Sequence, residues 1–283
     1  MNIAVLITTF NRKEKTVACL QKLNEQKLPA DVHLTVYLTD DGSKDGTAEA
    51  AAIAYSNIRI FHGNGSLFWA GGMRKSWSEA VKENPDFYFL LNDDTILFDN
   101  TIIALLHTYK EANAAYNKPV IVIGSTKNGK GKTSYGGRKL TSAKKINSSA
   151  LIENNETYAE CDLGNANIML VPREVVKSLG ILSDKYTHGI ADFDYTLSAK
   201  KKGFPVVVAP GILGFCEDDH GNNWKSANTT LKERIKYLYS PKGLAYKEYL
   251  YFVKKHFPSH YPEAFSKLWL KTFFPFIWDR FKN

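Results

Sequence analysis

The stretch FLLNDDTILF, residues 89–98, runs apolar, then polar, then apolar again. Phe87, Phe89, Leu90 and Leu91 read as one face and end of a buried strand, with Asp93 and Asp94 immediately after it. Two adjacent carboxylates repel, and keeping both ionised takes water, donors or a cation. One reading is a solvated turn whose second Asp caps the next helix. The other is a site for a hard divalent cation, which takes oxygen ligands and keeps waters and phosphate oxygens in its shell.

Working outward, IAVLI (3–7), HLTVYL (33–38) and IRIF (58–61) read as three further strands ahead of FYFLL (87–91). After the first, Val17, Leu20 and Leu23 recur at helical spacing, with Asn11 and Glu14 placed as a capping box. Helices are expected over 47–55, 73–82 and 101–115. Four alternations of strand and helix predict an α/β fold with a mostly parallel sheet flanked by helices and joined by right-handed crossovers. In such sheets ligands gather beyond the carboxyl ends of the strands. The polar clusters sit there: Thr8-Thr9-Phe10-Asn11, Asp40-Asp41-Gly42-Ser43, Gly63-Asn64-Gly65 and Asn92-Asp93-Asp94. Beyond Gly124 the pattern weakens. Residues 125–150 suggest an exposed hairpin or loop, 165–172 and 206–209 strands, and 173–179 and 195–202 helices, the last closed by Gly203.

With 283 residues and 44% hydrophobic content, the chain can bury a substantial core. No run of 18 apolar residues appears, the start lacks the pattern of a secretory leader, and the three cysteines are far apart. A reducing cytoplasm is the expected setting. The charge is uneven. Residues 231–283 hold 11 Lys or Arg against 4 Asp or Glu, a net of +7 out of +8, together with 15 of the 36 aromatics. A helix there shows Tyr246, Tyr249, Leu250, Val253 and Phe257 on one face and Lys247, Glu248, Lys254 and Lys255 on the other. Two expectations stay open: attachment to the inner face of an anionic membrane, or an ordinary helical subdomain with its aromatics turned inward. No nucleic-acid motif is present. The division expected is residues 1–230 as the α/β, ligand-binding domain and 231–283 as a helical C-terminal region.

Six segments in order, ITTFNR (7–12), LTDDGSKDGT (38–47), FWAGGMRKS (68–76), LLNDDT (90–95), GNANIMLVPR (164–173) and GIADFDYTLSAKKKGF (189–204), resemble family 2 glycosyltransferases of the GT-A fold. GNGSLFWAGGM and the HGNN tail resemble the rhamnosyltransferase-like branch of bacterial surface-polysaccharide enzymes. The resemblance covers roughly residues 3–221. It implies a metal-dependent, inverting transfer of a sugar from a nucleoside diphosphate, of UDP or dTDP type, to a hydroxyl of a saccharide or lipid-linked acceptor. It also implies Mn2+ or Mg2+ as cofactor.

Residue by residue, the resemblance makes Asp41 the acid that reads the nucleotide base, with Thr8, Phe10 and Asn11 beside it. Asp94 becomes the principal metal ligand, Asp93 its neighbour on ribose or metal, and His220 the late His near diphosphate or cation. Asp192 becomes the general base, with Asp194 as the alternative carboxylate or a helix cap. The motif reads A-D-F-D, with Ala191 where the family usually has Glu. Trp69, Arg74 and His188 are candidates for sugar or diphosphate contacts, each with an ordinary packing or surface role as the alternative. Gly71 and Gly72 sit in the same segment, where close backbone approach is the simpler reading. A sugar nucleotidyltransferase lacks support because TTFNRKEK replaces the expected glycine- and arginine-rich loop. A fold-retaining binding protein without chemistry is the other alternative.

Overall fold

The apolar runs become strands and the periodic segments become helices. The computed structural model describes residues 1–142, 145, 148–153, 156–218 and 229–276. The first half contains β1 (Asn2–Thr9), α1 (Lys13–Asn24), β2 (His33–Asp40), α2 (Thr47–Ala54), β3 (Ile58–His62), α3 (Phe68–Val81), β4 (Phe87–Leu91), β5 (Ile96–Leu97) and α4 (Thr101–Tyr116). Strands β3, β2, β1 and β4 lie side by side in that order, all parallel. The second half adds β6 (Ile121–Lys127), β7 (Thr133–Tyr135), β8 (Gly137–Leu140), β9 (Ser149–Leu151), β10 (Ala159–Glu160), β11 (Leu163–Gly164), β12 (Ile168–Pro172), α5 (Arg173–Leu179), α6 (Ala191–Lys201) and β13 (Val206–Phe215). Strand β12 runs antiparallel between β4 and β6, and β13 pairs parallel with β6. The region 125–150, expected as a hairpin or loop, supplies β7 to the main sheet and builds a small three-stranded sheet, β11-β8-β9.

Side chains alternate across the sheet, so β1 serves two cores. Ile3, Val5 and Ile7 pack with residues of α1, α2 and α4 on one face. Ala4 and Leu6 face α3, where Trp77 is enclosed between Tyr88 and Tyr195 at ring-centroid distances of 5.8 and 5.2 Å. The C-terminal helices α7 (Leu231–Tyr239), α8 (Tyr246–His256) and α9 (Tyr261–Phe273) join this second core through Leu238, Leu250, Phe252, Val253, Phe257, Ala264 and Leu268. Thr230 and Glu233 start α7 with a reciprocal capping box. Phe265, Leu270, Phe273, Phe274 and Phe276 stay exposed. No helix among the described residues is long and apolar enough to cross a membrane.

Three local expectations give way for physical reasons. The capping box at Asn11 and Glu14 does not form. Asn11 takes a left-handed conformation (φ 50°), and its side chain accepts from the Lys44 N–H at 2.8 Å instead, tying β1 to the turn after β2. Helix α3 starts at Phe68 rather than near Met73, because its first donors are satisfied by a carboxylate distant in sequence, Asp41. Helix α6 starts at Ala191 rather than Tyr195, which puts the whole A-D-F-D motif in its first turn. Ile190, just before it, is held at φ 58°, a conformation that costs a β-branched residue roughly 1–3 kcal/mol and that the surrounding packing must enforce.

Candidate active site

The carboxyl ends of the parallel strands β1, β2, β3 and β4 bring the four polar clusters of the sequence to one edge. Asp41, just past β2, is buried, and its carboxylate accepts from three backbone N–H groups: Gly65 at 2.9 Å, Leu67 at 2.9 Å and Phe68 at 3.0 Å. It clamps the 63–68 loop and caps α3. A Cβ at Gly63 would collide with this carboxylate, which is why a glycine stands there. At the end of β1, Thr8 is buried against Gly72, where a Cβ would overlap the Thr8 hydroxyl. Both glycines lie inside α3; the one at 72 lets that helix sit directly on β1, whereas a Cβ at 71 would meet the Leu67 and Arg74 side chains instead. Phe10 is 43% exposed beside them, its ring available as a stacking surface.

Asp93 and Asp94 cap no helix: the next helix begins seven residues later, and β5 intervenes. Both carboxylates converge on one nitrogen. Arg12 Nη1 lies 3.2 Å from Asp93 Oδ1 and 2.7 Å from Asp94 Oδ2. Burial pushes the Asp93 carboxyl up to about 6, with Arg12 pulling it down and Asp94 pushing it further up. On the far side of Asp94, the Cys216 thiol lies 3.6 Å from Oδ1, and burial, reinforced by the Asp94 charge, raises that thiol to about 12. The thiol stays protonated as a weak donor. A cavity of about 290 Å³ opens beside Asp94, lined by Glu14, Lys15, Ala18, Ile96, Phe215 and Glu217. The oxygen donors of the pair, with a cationic group already between them, fit a hard divalent ion. Among the described residues no set of three or more His, Cys, Asp or Glu converges as a metal cage. His220 lies outside the described residues.

Asp192 sits in the first turn of α6, half-buried. Its carboxylate accepts from the Phe193 N–H at 2.8 Å and the Ala166 N–H at 3.2 Å. Burial raises it to about 6 despite those bonds and a further one from the Asn165 side chain. The 165–167 segment that holds it also reaches the acid pair: Asn92 N–H donates to the Asn167 carbonyl at 3.3 Å, one residue before Asp93. Asp194, the alternative base, points elsewhere. It is buried and accepts from Tyr186 Oη at 2.8 Å, His256 Nε2 at 2.7 Å and Lys255 Nζ at 2.8–2.9 Å. Although burial acts to raise it, these bonds hold its carboxyl below the usual range. Ala191 packs in the core, so the position where the family usually has Glu faces inward here.

The remaining candidates divide. Trp69 Nε1 donates to Asn92 Oδ1 at 2.8 Å, so its indole lies beside the acid pair. Arg74 is committed to structure, donating to the carbonyls of Ser183 at 2.9 Å and Tyr186 at 2.6 Å. His188 meets Phe68 edge to face at 6.2 Å, near the start of α3. Sequence reasoning gave no role to Arg12, Asn92 or Ala166. The first was visible as the last residue of ITTFNR and the second as part of LLNDDT; the third acts through a backbone N–H that no residue pattern announces.

Residues 4–167 match the model of glycosyl transferase family 2. The chain belongs to that family. The galactofuranosyltransferase GlfT2 of Mycobacterium tuberculosis is 25% identical over 255 residues, covering 80% of this chain and 39% of GlfT2. This family 2 chain thus spans well under half of that relative's length. Among solved structures, Staphylococcus aureus TarS 1–349 in complex with UDP-GlcNAc superposes with a TM-score of 0.58 at 15% identity, covering 91% of this chain and 73% of that one. The mannosyltransferase PcManGT from Pyrobaculum calidifontis, in complex with GDP-Man and Mn2+, superposes with a TM-score of 0.55 at 14% identity, covering 95% and 69%. At such identities the likeness concerns the fold, and the fold of this family 2 chain is that of these GT-A glycosyltransferases.

Proposed function

We propose that this protein transfers a sugar, with inversion, from a nucleoside diphosphate sugar to a hydroxyl of a saccharide or lipid-linked acceptor. The observation that carries the reading is the acid pair Asp93–Asp94, gathered on a single cationic group at the sheet edge and joined through residues 165–167 to a separate carboxylate with a raised pKa, Asp192. Carboxyl groups raised by burial at the ligand-binding edge of a sheet mark candidate sites of acid–base work. Family membership, the GlfT2 likeness and the donor complexes of TarS and PcManGT support a nucleotide-sugar donor.

In this reading Phe10 stacks on the base, and Asp41, which has one acceptor position left after its three backbone bonds, takes the imide N–H of a uracil or thymine ring. Asp93 and Asp94, with His220, would hold Mn2+ or Mg2+, which supplies charge neutralisation for the departing diphosphate. Asp192 accepts the proton of the acceptor hydroxyl as that oxygen bonds to the anomeric carbon; the bond from that carbon to the diphosphate oxygen breaks, and the nucleoside diphosphate leaves. Trp69, beside Asn92, packs over the sugar. Arg74 and Asp194 keep structural roles. GNGSLFWAGGM supports the rhamnosyltransferase-like branch of surface-polysaccharide synthesis, with a UDP or dTDP donor. The exposed aromatics after α9, within a strongly basic region, support attachment to the inner face of the cell membrane, where a lipid-linked acceptor would lie.

The test is nucleoside diphosphate release from UDP-, dTDP- and GDP-sugars with Mn2+ or Mg2+. Metal-dependent release from one donor class is expected. No release or transfer from any of them points to a binding protein that keeps the fold without the chemistry.

A further inference from the structure

The Arg12 guanidinium stands where a shared cation would stand. One nitrogen, Nη1, contacts both carboxylates of the acid pair, at 3.2 and 2.7 Å. The backbone beneath it is fixed on both sides. Asn11 N–H donates to Ser43 Oγ at 2.8 Å, and Lys13 N–H donates to Asp45 Oδ2 at 3.1 Å, so the side chain springs from an anchored turn. The two partners differ in freedom. The Asp93 and Asp94 side chains are 9% and 17% exposed, whereas that of Arg12 is 43% exposed. The carboxylates stay; the guanidinium has room to leave.

We propose that Arg12 is a displaceable counter-ion, occupying the charge position between Asp93 and Asp94 in the donor-free protein, so that a divalent ion binds there only by breaking this ion pair. The inference rests on the proposed role of the acid pair as a cation and diphosphate site. Removing a positive charge from between two carboxylates leaves them repelling in a poorly solvated place, which makes them stronger ligands for any other cation. The diphosphate of a donor offers the released guanidinium a new partner, since its planar fork matches phosphate oxygens. Metal and donor then each favour the arrangement in which Arg12 has left the acids, and their affinities are reciprocally coupled. In the absence of donor the pair is neutralised internally and takes up metal weakly.

The experiment is a titration of Mn2+ alone, followed by electron paramagnetic resonance of the free ion, into the wild-type protein and Arg12→Gln, and again with UDP present. The expected result is Mn2+ affinity at least about tenfold higher for Arg12→Gln than for wild type without UDP, with the gap narrowing once UDP is present. Arg12→Lys, which keeps a charge between the acids, is expected to stay near wild type. Equal or weaker affinity in Arg12→Gln overturns the inference, while Mn2+ binding by wild type with UDP leaves the proposed function intact. No Mn2+ binding to any form, with or without UDP, overturns both. Should Arg12→Gln fail to fold, phenylglyoxal modification of Arg12 in wild type, mapped by mass spectrometry, decides the matter. Saturating Mn2+ is expected to speed that modification several-fold, and an unchanged or slower rate counts against displacement.

Discussion

At the scale of single residues, the proposed chemistry turns on one carboxylate, Asp192. Asp192 is raised to about 6 by burial. A general base must be ionised to act, so kcat/KM is expected to fall with the ionised fraction as pH drops through about 6, and to level off above it. Asp192→Asn should lower kcat by about 10²–10⁴ and leave nucleoside diphosphate affinity unchanged. Turnover near wild type in this variant would take Asp192 out of the role. Much of this level was legible in the sequence: the acid pair, Asp192 and the glycine whose missing side chain permits the close approach, Gly72, were all visible as motif residues. What was not legible is how a carboxylate is spent. Asp41 reads as a ligand-facing acid, yet three of its acceptor positions go to backbone N–H groups of the 63–68 loop and one is left for a ligand, and no local pattern reveals partners more than twenty residues away. Asp194 and Asp192 look interchangeable in A-D-F-D, and only the packing of α8 against α6 separates them.

At the scale of elements, two contacts hold the site in place. Helix α3 can lie on β1 only because residue 72 has no side chain. Gly72→Ala is expected to destabilise the fold by about 1–3 kcal/mol through overpacking against Thr8, read as a shift of the urea midpoint at unchanged slope. The second contact is the Asp194 network, which ties α6 to Tyr186 and to Lys255 and His256 on α8. Removing one partner of such a buried group is costly, and Asp194→Asn should lower unfolding free energy by about 3–5 kcal/mol. Because the folded pKa of Asp194 lies below its unfolded value of about 4, its contribution is present above that pH and disappears as pH falls towards the lower folded value. The variant should therefore lose less stability on acidification than wild type between neutrality and pH 3. Strands and helices of strong periodicity were readable from the sequence to within a residue or two. The starts of α2, α4 and α5 were readable as well, but those of α3 and α6 were not, since Asp41 caps α3 from another strand and Ile190 turns into α6 under strain.

At the scale of the whole molecule, the sequence foresaw a mostly parallel sheet with its polar turns on one edge, and the order β3-β2-β1-β4 realises it. The antiparallel insertion of β12 between β4 and β6 was not foreseen, because a buried strand reads the same in either direction. The C-terminal helices turn Leu250, Phe252 and Val253 into the core beneath α3 and α6, as the inward-facing subdomain expects, while Phe273, Phe274 and Phe276 stay outside and are the rings the proposed membrane attachment would use. Deletion of residues 231–283 is expected to abolish cooperative unfolding, followed by circular dichroism in urea, since it uncovers that core and removes the Asp194 partners; a cooperative transition in the shortened chain would show the catalytic part to be independent. The central claim is that distant acids meet around a cation-bound nucleotide with one of them left to activate an alcohol. Thermal unfolding with a panel of nucleoside diphosphates, with and without Mn2+, tests it most directly, since ligand at about 100 times its dissociation constant adds roughly 2.7 kcal/mol. The account predicts that one nucleoside diphosphate stabilises the protein far more with Mn2+ than without, that Asp94→Asn loses this gain and that Asp192→Asn keeps it. Stabilisation indifferent to Mn2+, or retained in full by Asp94→Asn, would contradict it.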